Sequence, residues 1–290
     1  MALTTSADLY SPEVWADASE AAFTGKAIVA TSPAVLQDDT LLGEAGETVN
    51  FPRWMTLGEL DVLSEGTAMT PVKMSQSSSQ ATIKEAGKAV EFTDKSKLIG
   101  VGNAQDEAIR QFGILAGRKV DADLITVAQA SVAGGITYAD GTTATASAPL
   151  TFTGGAGILF GWDMFVDATG AFGDDLEAQD FAGLYINSAQ RAQLFKDDDF
   201  IHADGSAGND VIRRGQVGSI GGIPVIVTNR VTAGKFLIMK NNALGLMWKR
   251  RPLVEQDRDI LARTTIVTTN LHYAVKRLED KGVLVGTLTA

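Results

Sequence analysis

Residues 103–135 read NAQDEAIRQFGILAGRKVDADLITVAQASVAGG, and the fold turns on how this stretch is read. Ala108, Phe112, Leu115, Ala116, Val120, Leu124, Val127 and Ala128 recur at the spacing of one helix face. Arg110, Gln111, Arg118, Lys119, Asp121 and Asp123 fill the other faces. Asn103 is placed to cap the amino end. Asp106 and Glu107 put negative charge in the first turn, where the helix dipole favours it. Gly134 and Gly135 supply a left-handed turn to end the helix. At a rise of about 1.5 Å per residue it would run on the order of 40 Å. In a chain of 290 residues, that length describes a spine across a flat subunit.

Upstream, Thr48–Trp54 alternates as a strand, and Pro52 marks it as an edge. Residues 81–84 and 89–92 read as a second, longer strand bent at Gly87. Between the two runs a long excursion containing Gly58, Gly66, Pro71 and the polar tract 75–80. The pattern predicts two antiparallel strands carrying Trp54, Met55, Leu57, Leu60, Val62, Leu63 and Met69. A lone two-stranded hairpin is marginal in water. Those side chains therefore need either the core or another copy of the chain. Further upstream, Ser11-Pro12-Glu13 opens a short helix striped with Val14, Trp15, Ala18, Ala22 and Phe23. It reads equally as a surface helix or as an arm that lies on a neighbouring subunit.

Downstream, strands and helices alternate as they do in α/β layers. Residues 160–172 read as a helix with Phe165, Val166 and Ala168 inward. Residues 181–187 read as a buried strand, with Ser188 capping a short helix through Leu194 and Phe195. Residues 217–228 read as strand, glycine turn, strand, and residues 235–240 as a further strand. Residues 253–257, 263–278 and 283–288 close the chain as strands, with a turn at Lys281-Gly282.

Composition narrows the function. A net charge of −10 argues against a tight, sequence-independent grip on nucleic acid. With no cysteine, disulfides and thiolate metal sites are excluded. The first ten residues lack a secretory layout, and no apolar run approaches the roughly 18 residues of a membrane span. His202 and His272 each stand alone in their segments, which favours hydrogen-bonded or surface roles. The acidic residues Asp197, Asp198, Asp199, Asp204 and Asp210 lack the spacing of a calcium loop. Gly154-Gly155-Ala156-Gly157 has no following Lys-Ser or Lys-Thr, so it is not a phosphate loop. Lys249-Arg250-Arg251 is the one dense basic cluster, read as a solvated strand end. No catalytic, cofactor or metal residues are expected, which counts against an α/β enzyme.

The ordered set of parts resembles the major capsid protein of tailed bacteriophages. The arm and the long loop come first. The spine helix is entered through Leu98-Ile99-Gly100-Val101, and Gly183-Leu184-Tyr185-Ile186-Asn187-Ser188 follows it. Gly222-Ile223-Pro224-Val225-Ile226-Val227 looks like a family strand, and Tyr273-Ala274-Val275-Lys276 with Gly282-Val283-Leu284-Val285-Gly286 looks like the family's closing strands. The resemblance implies an α+β, Hong Kong 97-like fold. Its divisions would be an N-terminal arm (1–47), an extended β-hairpin loop (48–93), an axial domain (136–240) and a peripheral domain (94–135 and 241–290).

It also implies a structural role without cofactors. Copies would form the pentamers and hexamers of an icosahedral virion shell around packaged double-stranded DNA, assembled in the host cytoplasm. Trp54, Met55, Leu57, Leu60, Val62, Leu63 and Met69 would meet neighbouring subunits, as would Trp15 and Phe23 of the arm. Portal, a separate scaffolding protein and a decoration protein are the implied partners. The arm begins almost at Met1, which reads as leaving no long scaffold segment to be removed. Some relatives cross-link a lysine to an asparagine; here Lys73, Lys84 and Lys88 read as solvated and Asn270 as structural. An encapsulin-like nanocompartment shell is the alternative on the same fold.

Overall fold

The computed structural model describes residues 27–43, 46–54, 76–99, 104–137, 143–155, 159–176, 178–197 and 218–288, with isolated positions between 62 and 71. The quoted stretch is entered through α1 (Asp94–Ile99) and becomes α2 (Ala104–Gln129). In chain order the first strands are β1 (Val35–Asp38), β2 (Thr48–Trp54), β3 (Gln76–Thr82), β4 (Lys84–Thr93), β5 (Val132–Thr137), β6 (Thr143–Ser147) and β7 (Leu150–Thr153). After α3 (Trp162–Thr169) and β8 (Phe181–Ile186) come α4 (Ser188–Leu194), β9 (Ser219–Ile220), β10 (Ile223–Val227) and β11 (Lys235–Lys240). The chain closes with β12 (Leu244–Asp259), β13 (Thr264–Arg277) and β14 (Val283–Thr287).

Two sheets carry the body. One has four strands in the order β1-β12-β13-β4, and the other six in the order β7-β14-β11-β8-β10-β9. The six-stranded sheet is covered on both faces, which explains why β8, Phe181-Ala182-Gly183-Leu184-Tyr185-Ile186, is apolar throughout and wholly buried. Leu184, Ile186, Phe236 and Ile238 point into a cluster with Phe160, Met164 and Phe165 of the α3 region. Tyr185, Leu237, Met239 and Val285 point the other way, into a cluster shared with the carboxyl half of α2 and with Trp248 and Tyr273 of the four-stranded sheet. Opposite Phe236 in the β11–β14 pair stands Gly286, where a Cβ would lie 2.1 Å from the ring.

Several sequence expectations need correction. Helix α2 ends at Gln129, and Gly134 and Gly135 lie in β5 instead of terminating it. Its cap comes from far along the chain: the Arg277 guanidinium donates to the carbonyls of Val127, Ala128 and Ala130 at 3.2, 3.1 and 2.6 Å. A cation at the carboxyl end of a helix also complements its dipole. Asp121 and Asp123, assigned above to polar faces, are buried at 3% and 7% exposure, while Leu115 is 39% exposed. Leu115 lines a groove of about 410 Å³ between α2 and β4, which the four-stranded sheet leaves unfilled. The expected helix at 160–172 is α3 followed by a 3-10 segment, and Val166 faces outward at 45% exposure. The cap of α4 is Asn187, not Ser188. Its side chain accepts from Ala189 N–H, and Gln190 reaches back to the Asn187 N–H. Asn103 lies outside the described residues.

The long strand expected across 81–92 is two strands. Polar β3 pairs with β2 from Thr48↔Thr82 to Trp54↔Gln76, so the tract read as loop is half of the hairpin. Strand β4 instead pairs with β13 in the four-stranded sheet. Serine and glutamine carry weak strand propensity, and here cross-strand pairing overrides it. The last strand, placed with residues 241–290 as peripheral, joins the six-stranded sheet between β11 and β7.

Candidate assembly surfaces

The β2–β3 finger is a two-stranded sheet of its own. Its root is held by Val49 and Ala81, which pack on Ala274 of β13, with Leu41, Ile83, Met247 and Leu278 around them. Lys276 donates to the Gln80 carbonyl at 3.3 Å across the same junction. Beyond the root, Val62 is 99% exposed and Met69 73% exposed. Trp54 ends β2 opposite Gln76. The Trp54 side chain, and Met55, Leu57, Leu60 and Leu63 as a whole, lie outside what the structure describes, as do Trp15 and Phe23 of the arm.

Where the arm reaches the body, its path is fixed by one buried carboxylate. Asp121 accepts from the backbone N–H groups of Ile28, Val29 and Ala30 at 2.8, 3.1 and 2.9 Å. Burial raises the Asp121 carboxyl above its usual range, against the pull of those three hydrogen bonds. Beside it, the Tyr185 hydroxyl donates to Ser32 Oγ at 2.7 Å, and burial pushes that phenol up to about 12. This staple was invisible in the spacing, because an aspartate on a helix reads as a solvent face. The available clue was its position, i+4 from Gly117 and i−4 from Ile125, both buried.

A second polar group locks α2 to β13. The Tyr273 hydroxyl donates to Asp123 Oδ2 at 2.6 Å, and Lys119 donates to Oδ1 at 3.0 Å. Lys84 stands 3.6 Å away. Burial alone would raise the Asp123 carboxyl, but the Tyr273 and Lys119 hydrogen bonds and the two lysine charges outweigh it and hold the group below its usual value. The Tyr273 phenol is raised by burial and by that carboxylate. At the end of β13, Arg277 forms an almost fully buried ion pair with Asp280 at 2.7 Å while capping α2.

The remaining candidates also find places. Lys249-Arg250-Arg251 sits inside β12, at a break in register, not at a strand end. Lys249 donates to the Gly46 carbonyl, and Arg251 pairs with Asp39 at 2.7 Å, so the cluster tethers the chain leading into the finger. His272 Nε2 lies 3.6 Å from Glu85, and Asn270 pairs in register with Gly87. His202 lies outside the described residues. Among the described residues no group of three or more His, Asp or Glu could hold a metal, and no helix is long and apolar enough to cross a membrane. The body buries two large apolar clusters of its own, while Val62 and Met69 beyond the finger's root stand exposed.

A model of the phage capsid protein family matches residues 76–286. The major capsid protein of Staphylococcus phage phiMR11 is 29% identical over 273 residues, covering 93% of this chain and 90% of that protein. Among solved structures, the cyanophage Pam1 capsid superposes over 100% of this chain and 96% of that one, with a TM-score of 0.71 at 15% identity. The capsid of cyanophage P-SCSP1u covers 91% and 89%, with a TM-score of 0.67 at 14% identity.

Proposed function

The chain belongs to the phage capsid protein family and is a structural subunit of a phage head, with the Hong Kong 97-like fold; we propose that it closes its shell by laying the β2–β3 finger and the amino-terminal arm on neighbouring copies. The observation that carries this reading is the finger's imbalance. Its root buries Val49 and Ala81, while Val62 and Met69 stand 99% and 73% exposed on the same subunit. Covering an aliphatic side chain of that size contributes about 1.5–3 kcal/mol, which a lone subunit forgoes. Trp54, Met55, Leu57, Leu60 and Leu63 are assigned to the same contact, and Trp15 and Phe23 to the arm's contact.

In this reading the roles follow the sheets. The four-stranded sheet with α2 forms a peripheral domain, and the six-stranded sheet with α3 and α4 forms an axial domain around which copies gather into pentamers and hexamers. Repeated head-to-tail contacts close into rings when the rotation permits. Portal, a separate scaffolding protein, a decoration protein and non-specifically held double-stranded DNA complete the assembly. Both sequence-level matches are to phage proteins, which favours a head over an encapsulin-like compartment.

The test is electron microscopy of the purified full chain beside a deletion of residues 57–74. The full chain is expected to give uniform hollow particles, and the deletion folded subunits without closed particles. Normal particles from the deletion would remove the finger from the mechanism.

A further inference from the structure

The groove between α2 and β4 measures about 410 Å³ and is walled in part by Phe112, Leu115, Ala116 and Leu271. Its rim carries Lys88 of β4 and Lys119 of α2, with Glu85 as the one acid in the lining. Six residues along α2 from Leu115, Asp121 fastens the backbone of Ile28, Val29 and Ala30. Six helical residues amount to about 9 Å along the axis and about a third of a turn around it. Arg118 stands midway in that sector and is exposed. The point at which the arm is fastened to the body therefore lies a short way around one helix from the groove.

We propose that this groove seats the amino-terminal arm of the same chain while the subunit is free, and that the arm must leave it before lying on a neighbouring copy. Reach favours the chain's own arm. An extended residue spans about 3.3–3.6 Å, so the steps from Ala27 back to Phe23 cover about 13 Å, against a helix about 10–12 Å across. Phe23 can thus pass the Arg118 sector and enter the groove, with Ala22, Ala18 and Trp15 following on the same apolar stripe. Charge favours it as well. Residues 1–26 carry Asp8, Glu13, Asp17 and Glu20 against Lys26, an acidic segment matched to Arg118, Lys119 and Lys88. A second copy would bring a net charge of −10 against another −10. A short tether also holds the arm at an effective concentration on the order of millimolar, above that of dilute free copies. Docked in this way, the arm hides Trp15 and Phe23, the side chains assigned to its contact between copies. The groove then acts as a brake on premature assembly.

This inference rests on the arm's proposed contact with neighbours, and the lack of cysteine gives it a clean probe. In a Leu115→Cys chain the sole thiol lies in the groove, and its reaction with a maleimide is followed in free subunits. Against the same chain also carrying Trp15→Glu and Phe23→Glu, labelling is expected to be on the order of tenfold slower, at a rate independent of protein concentration. Equal rates in the two chains would overturn the docking. Protection that grows with concentration would overturn the choice of occupant, giving the groove to a second copy. The brake is read by light scattering during particle formation. Leu115→Glu and, separately, Arg118→Glu set an acid against the acidic arm, and each is expected to stay folded by circular dichroism and to shorten the lag. An unchanged or longer lag in both would overturn the brake. If the unaltered chain makes no particles at all, it is the shell reading that has failed, and thiol labelling still decides where the arm sits.

Discussion

The carboxyl half of α2 and the β2–β3 finger solve the same problem in opposite ways. Val120, Leu124 and Ala128 are at 0% exposure, wrapped by both sheets and by the incoming arm. The buried charged groups there are answered within the subunit: Asp121 by three backbone amides, Asp123 by Tyr273 and Lys119, and Arg277 by Asp280 and three carbonyls. The finger has two strands, one of them serine- and glutamine-rich, and its described apolar positions beyond the root face outward. On the proposed reading the body keeps its own fold, and the projection takes its cover from neighbouring copies.

The sharpest way to break that comparison is to cut the finger. Removing residues 57–74 while keeping the β2–β3 pairing should abolish closed particles and leave the melting temperature of the body unchanged. Calorimetry beside electron microscopy checks both halves of the statement. Within the body, Arg277→Ala should cost about 3–5 kcal/mol in a denaturant titration, because it breaks the buried ion pair with Asp280 and takes the cap from α2. Asp121→Asn should cost about 1.5–3 kcal/mol, since an amide cannot accept from all three N–H groups with both of its atoms. Arm residues 28–30 should then exchange amide hydrogens faster.

The smallest effect is a matter of pH. Asp123 is held below the unfolded carboxylate value of about 3.9. Its stabilisation is therefore fully present above that value and is lost as the pH falls through its lower folded value. Asp121 is raised, so its contribution runs the other way: stability declines as the pH rises from the unfolded value to the folded one. Tyr273→Phe removes a hydrogen bond that lowers Asp123. It should cost about 1 kcal/mol at neutral pH and shrink the loss between neutral pH and pH 3, as followed by circular dichroism melts.

Much of this fold was legible because periodicity reports burial. The helical spacing of Phe112, Ala116, Val120 and Leu124 located α2, and the unbroken apolar run at Phe181–Ile186 located a strand covered on both faces. What stayed hidden depends on partners distant in sequence. Gly134 and Gly135 look like a helix stop, yet the stop is made by Arg277, roughly 150 positions away and unpredictable from local chemistry. The polar tract at 75–80 becomes a strand because Thr48–Trp54 pairs with it. The finger's apolar load was readable as residues in search of cover. The exposure of Ile260 and Leu261 at the turn between β12 and β13 was not, because two aliphatic residues between strands look like part of either one.

Amide hydrogen exchange on free subunits and on particles tests the central claim most directly. Protection in β2 and β3 should be low in the free subunit and rise by orders of magnitude in the particle, while the carboxyl half of α2 is equally protected in both. A finger already as protected as α2 in the lone subunit would contradict it.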